Sequence, residues 1–173
     1  MKCITLLLIG FMSFLLQSYT ALANEKNKEH QFTVYLVRHA EKVLEQKNPP
    51  LTSCGIKRAE QLSLMLEQAD IKTIYSTEFT RTKQTAAPLA SKLKKTVQPY
   101  SPRDLKTFAA QIIQEQRNVL IVGHSNTTPQ LTALIANTSV EDITEKEYQM
   151  LYQVHFIGNT TQLTILKQPL SCQ

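Results

Sequence analysis

Two short runs of apolar residues constrain the fold of this chain more than any other feature. Residues 32–37 read Phe-Thr-Val-Tyr-Leu-Val, and residues 118–123 read Asn-Val-Leu-Ile-Val-Gly. Neither run shows the polar–apolar alternation of a half-exposed strand. Continuous apolar runs of this kind are typical of strands buried on both faces of a parallel sheet. Parallel strands need crossover connections, usually helices. The chain is therefore expected to have an α/β fold.

The other segments alternate between helical and extended patterns. Amphipathic helices are predicted from Thr52 or Ser53 to Ala69, from Phe79 to Leu93 with a kink or break at Pro88, from Asp104 onward, and after a Thr128 cap. In the first helix the predicted apolar face is Ile56, Ala59, Leu62, Met65, Leu66 and Ala69. Strands are predicted at 71–75 and 97–100, with a terminal pair at 150–157 and 161–167. The predicted architecture is a three-layer α/β/α sandwich with a mostly parallel central sheet.

The first 23 residues have the pattern of a secretory signal. A positive start is followed by an almost wholly apolar segment at 3–16, and Ala21-Leu22-Ala23 fits the small-x-small site of signal peptidase. The apolar run is short for a membrane span, although an uncleaved anchor is the alternative. We expect cleavage after Ala23, export to a bacterial periplasm, and a mature domain at 24–173 without stable membrane insertion.

Export affects how the cysteines are interpreted. Cleavage removes Cys3 and leaves Cys54 and Cys172 as an even pair in an oxidising compartment. We predict a disulfide between them. The alternative is a small buried Cys54 and a free thiol at Cys172.

Polar clusters follow three of the predicted strands. Arg38-His39 follows the first run, residues 76–81 follow the strand at 71–75, and Gly123-His124-Ser125 follows the later run. Active sites in open α/β sheets lie at the carboxyl ends of strands, so these clusters are expected to share one pocket. Its arginines match phosphate oxygens, and the helix after Ser125 can direct its N-terminal amides at the same anion. The net charge of +5 also suits an anion, but without a basic helix carrying interleaved aromatic residues it does not predict nucleic-acid binding.

A histidine beside an arginine is suited to covalent phosphoryl transfer. A neutral imidazole nitrogen of His39 can attack phosphorus and divide the transfer into two steps through a phosphohistidine. Neighbouring positive charges disfavour the imidazolium form and stabilise the oxygens of the transferring group. Each cluster alone is common in loops, so the prediction depends on three of them occurring in order at three strand ends.

The same clusters resemble the signature blocks of a known family. Residues 36–41, Leu-Val-Arg-His-Ala-Glu, resemble the Arg-His-Gly signature of the histidine phosphatase superfamily, also called phosphoglycerate mutase-like, with Ala40 replacing glycine. The blocks at 51–59, 75–86 and 122–125 resemble those that follow. The resemblance implies phosphate ester or phosphoramidate hydrolysis without metal or other cofactor. By position it implies His39 as the nucleophile and Arg38, Arg81 and His124 as a phosphate clamp, beside which we expect Ser125.

The proton donor is the part of the family pattern that this sequence does not match. Many members place an acid after the third block, and no Glu-rich segment occurs there. Asp104 is the nearest candidate, and Glu78 occupies a position that is often acidic but usually structural. The third alternative is no dedicated acid, which suffices only for good leaving groups such as phosphohistidine or acyl phosphate.

The small size of the chain most resembles the phosphohistidine phosphatase type of this family. A mutase is less consistent with the sequence, because it needs capping insertions and only a strand pair follows the last helix. A catalytically silent phosphate-binding or scaffolding domain of the same fold is the alternative from another class. The predicted partner is a small-molecule or peptide-borne phosphate, and neither the substrate nor the oligomeric state follows from the sequence.

Overall fold

Six strands form the centre of the fold in the computed structural model, which describes residues 30–171. They are β1 (Gln31–Arg38), β2 (Thr73–Ser76), β3 (Val97–Pro99), β4 (Val119–Gly123), β5 (Met150–Ile157) and β6 (Thr160–Lys167). They lie in one sheet in the order β3-β2-β4-β1-β5-β6. The first four pair in parallel, whereas β5 and β6 add an antiparallel edge. The predicted α/β fold with a mostly parallel sheet is confirmed.

Helices cover both faces of this sheet, as predicted. They are α1 (Ser53–Leu66), α2 (Thr80–Lys92), α3 (Leu105–Glu115) and α4 (Thr127–Ala136). Successive strand residues face opposite cores, because side chains alternate across a sheet. Leu36 and Ile121 pack in the core that includes α3 and α4, while Val37 and Val122 pack in the core that includes α1 and α2. No helix in the described residues is long and apolar enough to cross a bilayer.

Side-chain caps account for the starts of two helices. Thr52 Oγ1 accepts a hydrogen bond from the Gly55 amide at 3.1 Å, and Asp104 Oδ1 accepts one from Thr107 at 3.1 Å. The predicted Thr128 cap was wrong, because α4 already begins at Thr127. There the Thr127 hydroxyl accepts a hydrogen bond from the His124 amide at 3.0 Å. This bond closes the turn after β4 and places Thr128 inside the helix.

Two further expectations about the helices differ in part from the structure. α2 continues from Thr80 through Pro88 to Lys92, so the proline does not divide it. On α1 the predicted apolar residues Ile56 and Met65 are 49% and 40% exposed. The buried face is rotated toward Arg58, whose guanidinium has a charged partner in the loop after β1. A paired arginine can be buried where hydrophobic periodicity alone predicts an apolar residue.

The start of α1 packs directly on the loop that follows β1. A Cβ atom added to Gly55 would lie 2.3 Å from the Glu41 carbonyl oxygen, so only glycine fits there. Arg58 Nε donates to both carboxylate oxygens of Glu41 at 3.0 and 2.9 Å, and its Nη2 donates to Oε1 at 2.6 Å. Removing one partner of such a buried pair leaves an uncompensated charge. Gly55 and Arg58 therefore hold in place the backbone that follows His39.

Cys54, near the start of α1, is disulfide-bonded. The other two cysteines, Cys3 and Cys172, lie outside the described residues, as does the predicted signal peptide, so the pairing with Cys172 stays a prediction. The last described residues lie against α1, where the Leu170 amide donates to Gln61 Oε1 at 3.1 Å. Gln61 is two helical turns beyond Cys54, so Leu170 contacts the same helix that carries Cys54.

We expect thiol labelling of the denatured, non-reduced mature protein to detect no free cysteine. In the chain-entropy treatment a loop of this length contributes about 4 to 5 kcal/mol, so Cys172→Ser is expected to lower the free energy of unfolding by up to that amount. Urea titrations of both proteins measure the difference. Two free thiols in the mature wild-type protein would contradict the pairing.

Candidate active site

The predicted pocket residues lie at the carboxyl ends of β1, β2 and β4, in a cavity of about 350 Å³. His39, Arg81, His124 and Ser125 line this cavity. The parallel pairing of β1 with β4 brings the first and last clusters together, and the His39 amide donates to the Gly123 carbonyl at 3.0 Å. Four of the residues predicted from separate clusters therefore share one space.

His39 is held as a neutral imidazole with a defined tautomer. Its Nδ1 lies 2.8 Å from the Ala40 carbonyl oxygen. Because a carbonyl can only accept, Nδ1 carries the proton and Nε2 is the unprotonated nitrogen. Burial, with added repulsion from Arg38 and Arg81, lowers the pKa of His39 from 6.5 to about 3, although the bond to Ala40 acts in the opposite direction. His39 is therefore uncharged at neutral pH, which is the form of imidazole that can act as a nucleophile.

Alanine is tolerated at position 40, where the family resemblance favours glycine. Ala40 is fully buried and does not have the positive φ that would favour glycine. Its amide donates to Thr85 Oγ1 at 2.9 Å, and the Thr85 hydroxyl donates to the Arg81 carbonyl at 2.8 Å. These two bonds connect the backbone after His39 to the first turns of α2.

His124 is fixed by a chain of hydroxyl groups. Arg81 Nη2 donates to His124 Nδ1 at 3.3 Å, so the proton of this neutral ring lies on Nε2. Nε2 then donates to Thr77 Oγ1 at 2.9 Å, and the Thr77 hydroxyl donates to Thr82 Oγ1 at 2.9 Å. Burial, and then the charges of Arg81 and Arg38, lower the pKa of His124 to about 4. The ring lies edge-on to His39, with 5.6 Å between their centroids.

Thr77 is fully buried and acts through His124, so we describe it as a positioning residue. We expect Thr77→Val to lower kcat/KM for an aryl phosphate by about tenfold, because it leaves the His124 Nε2–H without its acceptor. Thr77→Ser restores the hydroxyl and is expected to retain most activity. If the valine and serine variants lose activity equally, packing rather than the hydroxyl is responsible.

The two arginines present unused donors. Arg81 lies in the first turn of α2, with its guanidinium carbon 4.5 Å from the centre of the Phe79 ring. The Nε groups of Arg81 and Arg38 are both buried without a hydrogen-bond partner. A buried unsatisfied donor costs about 1 to 3 kcal/mol, more when it is charged. An anionic acceptor at either Nε would offset this cost.

Arg38 does not line the cavity and is only 2% exposed. Its Nη1 donates to the backbone carbonyls of Thr144 at 2.9 Å and Glu147 at 3.2 Å, and its Nη2 donates to Glu145 Oε2 at 2.7 Å. The Tyr148 ring stacks on the guanidinium at 4.2 Å. Arg38 is thus held by residues of the α4–β5 loop, residues 137–149.

Glu145 lines the cavity and was not singled out in the sequence. It belongs to an acidic stretch, Glu-Asp-Ile-Thr-Glu-Lys-Glu at 141–147, which reads as a solvated loop. Its side chain accepts hydrogen bonds from Ser125 and Arg38, and Lys42 Nζ lies 3.9 Å away. The Ser125 bond, with the charges of Arg38 and Lys42, holds its pKa below the usual 4.5. Glu145 is therefore an ionised carboxylate among the cations of the site.

Neither acid predicted as a proton donor lines the cavity. Asp104 is fully exposed and caps α3, and its hydrogen bonds to Thr107 lower its pKa. Glu78 is exposed and forms a 3.4 Å ion pair with Lys83. Residues 30–171 contain no group of three His, Cys, Asp or Glu side chains placed to share a metal ion.

Residues 34–106 match the model of the histidine phosphatase superfamily, branch 1. No curated protein matches the sequence. The fold is similar to a mycobacterial glucosyl-3-phosphoglycerate phosphatase (12% identity, TM-score 0.63, 82% of this chain and 100% of that one). It is also similar to the alpha-ribazole phosphatase of Shigella flexneri (16%, 0.65, 82% and 100%) and to the protein histidine phosphatase SixA in complex with tungstate (15%, 0.65, 79% and 97%).

At these identities the solved structures establish the fold, and the family model adds the sequence signature. The matched segment contains His39 and Arg81, which lie in the cavity, while His124 enters the same cavity from a strand beyond it. The signature, the fold and the cavity thus agree with one another. Residues 34–106 carry the sequence signature of the histidine phosphatase superfamily, and the described chain has the fold of solved phosphatases of this type.

Proposed function

We propose that the protein hydrolyses a phosphate monoester or phosphoramidate without metal, through a phosphohistidine at His39. The observation that carries this proposal is the position of His39, which lines a cavity with Arg81 and His124 and whose Nδ1 is bonded to the Ala40 carbonyl, so that Nε2 is the unprotonated nitrogen. A neutral imidazole is a nucleophile, and the cations around it suit the charge of a transferring phosphoryl group.

The reaction has two balanced steps. In the first, the Nε2 lone pair of His39 forms a bond to phosphorus while the bond to the leaving oxygen or nitrogen breaks, and the leaving group departs with that electron pair and takes a proton from water. In the second, water attacks the phosphohistidine, the P–N bond breaks, and orthophosphate and neutral His39 are released. Arg81 donates hydrogen bonds to phosphoryl oxygens through both steps, and its planar fork suits their geometry.

The preferred leaving group follows from the lack of a proton donor in the resting site. Glu145 is ionised, and the proton of neutral His124 is engaged with Thr77. Among the described residues no protonated carboxylic acid lines the cavity. Leaving groups that depart without strong acid assistance, such as phosphohistidine, acyl phosphates and aryl phosphates, are therefore the proposed substrate class.

The test is a panel of phosphate compounds assayed with the purified mature protein in excess EDTA. We expect turnover of acetyl phosphate, p-nitrophenyl phosphate and a phosphohistidine peptide, with much slower turnover of glycerol 3-phosphate. Rapid acid quenching during turnover is expected to trap an acid-labile phosphoryl group on His39. Activity that disappears in EDTA and returns with a divalent ion would contradict the proposal.

The silent phosphate-binding domain is the second candidate, and one observation favours it. Arg38, a predicted clamp residue, is engaged by Glu145 and by backbone carbonyls rather than presented to the cavity. Binding of inorganic phosphate in the millimolar range or tighter, without turnover of any compound in the panel, would support this alternative. Trapped phosphohistidine would exclude it.

A further inference from the structure

The α4–β5 loop leaves Arg38 with one edge for an anion. Both backbone carbonyls that bind Arg38 accept from Nη1, so a bidentate ligand must use the edge formed by Nε and Nη2. Nε is buried without a partner, and Nη2 donates to Glu145. A phosphate on this edge would share Nη2 with a carboxylate of the same charge sign.

Glu145 makes the contacts that a phosphate would make. One carboxylate oxygen accepts from Arg38 and the other accepts from Ser125, both of which the sequence predicts as phosphate ligands. Lys42 lies 3.9 Å from the same carboxylate. The carboxylate therefore satisfies part of the cationic site while no phosphate is bound.

We propose that Glu145 determines substrate specificity in this enzyme, because its carboxylate competes with the phosphoryl group for Arg38 and Ser125 and disfavours substrates with a second anionic group beside the phosphate. This proposal rests on the proposed function. It differs from a proton-donor role, since the carboxylate acts here by its charge and position.

Exposure indicates which partner moves when phosphate binds. The Glu145 side chain is 67% exposed, so water can replace its contacts when it turns outward. The Arg38 side chain is 1% exposed and remains fixed by Nη1 and by the stacked Tyr148 ring. After displacement the carboxylate is tethered next to the cavity, where it repels a negative group on the substrate and tolerates a neutral or cationic one.

Binding of non-hydrolysable ligands tests the proposal without requiring turnover. Titration calorimetry would measure the affinities of the protein for inorganic phosphate, ethylphosphonate and phosphonoacetate. The two phosphonates differ in one group, which is a methyl in ethylphosphonate and a carboxylate in phosphonoacetate. The variants are Glu145→Gln, Glu145→Asp and the control Glu141→Gln, which makes the same charge change at an exposed position of the same loop.

We expect Glu145→Gln to bind phosphate about three- to tenfold more tightly than the wild type, and to gain still more for phosphonoacetate than for ethylphosphonate. Glu145→Asp keeps the charge but has a shorter reach to Arg38. We expect it to gain affinity for phosphate while still discriminating against phosphonoacetate. Glu141→Gln is expected to leave all three affinities unchanged.

Several results would overturn the proposal. Unchanged or weaker phosphate binding in Glu145→Gln would show that the carboxylate does not compete. Equal gains in Glu141→Gln would show a general charge effect. In Glu145→Gln, a fall in kcat for glycerol 3-phosphate with unchanged phosphate binding would identify Glu145 as a proton donor instead. Failure of the proposed function appears separately, as absence of turnover in the wild type, and leaves the calorimetric comparison decisive for Glu145.

Discussion

His39→Ala is expected to lower kcat for p-nitrophenyl phosphate by about 10⁴-fold or more and to eliminate the acid-labile phosphoenzyme. In the proposed mechanism the variant lacks the nitrogen that bonds to phosphorus, and loss of a covalent nucleophile typically has an effect of this size. His39 also donates its backbone amide to Gly123, a bond that alanine retains. The loss is therefore chemical rather than structural.

The matched control is His155→Ala, which removes an imidazole from β5, where Nδ1 lies 2.8 Å from Thr33 Oγ1, away from the cavity. We expect this control to stay within about threefold of wild-type activity, as for a change remote from the chemistry. Circular dichroism and urea unfolding would verify that both variants fold. Retention of more than a tenth of the activity in His39→Ala would identify another nucleophile.

Arg81→Ala is expected to lower kcat/KM by about 10²- to 10³-fold, whereas Lys83→Ala is expected to change it by less than about threefold. Both variants remove one positive charge from α2. Arg81 lines the cavity with an unpartnered Nε, while Lys83 is exposed and pairs with Glu78. The difference between the two losses in kcat/KM separates the contribution of directed hydrogen bonds from that of net charge.

Arg81→Lys adds a further distinction in the same assay. It retains the charge but lacks the planar fork of donors, so we expect it to recover only a small part of the lost activity. Measurements at low and high salt would separate long-range attraction from local contacts. Equal losses in Arg81→Ala and Lys83→Ala would mean that overall charge, rather than geometry, governs binding.

The rule that active sites lie at the carboxyl ends of parallel strands predicted where the cavity lies, because the rule depends on patterns that are local in sequence. The runs at 32–37 and 118–123 are continuous in apolar residues, so their burial and parallel pairing followed directly. His39 and His124 come just after the ends of these strands, and parallel pairing then brings them together. Thr77 was not predicted. Its buried hydroxyl accepts the hydrogen bond of His124 Nε2, and a single contact of this kind produces no periodic pattern in the sequence.

The surroundings of Arg38 could not be predicted, because they depend on long-range pairing. β5 lies antiparallel to β1 with Val37 opposite Leu151, which brings the preceding α4–β5 loop over Arg38. Loop 137–149 has no regular periodicity from which that position could be inferred. Asp104 was chosen as one of three alternatives because it is near the third block in sequence, and in the fold its carboxylate caps a helix outside the cavity.

The two buried imidazoles also set a limit on the acid tolerance of the folded protein. Histidines in the unfolded chain bind protons near pH 6.5, whereas His39 and His124 in the fold do so near 3 and 4. Between these values the unfolded state holds more protons, so the free energy of unfolding decreases as pH falls. Urea titrations from pH 7 to pH 4 are expected to show this decrease, and His124→Asn is expected to reduce its slope. The low pKa values that keep both imidazoles neutral near pH 7, as the proposed mechanism requires of His39, thus make the same fold vulnerable to proton uptake in mild acid.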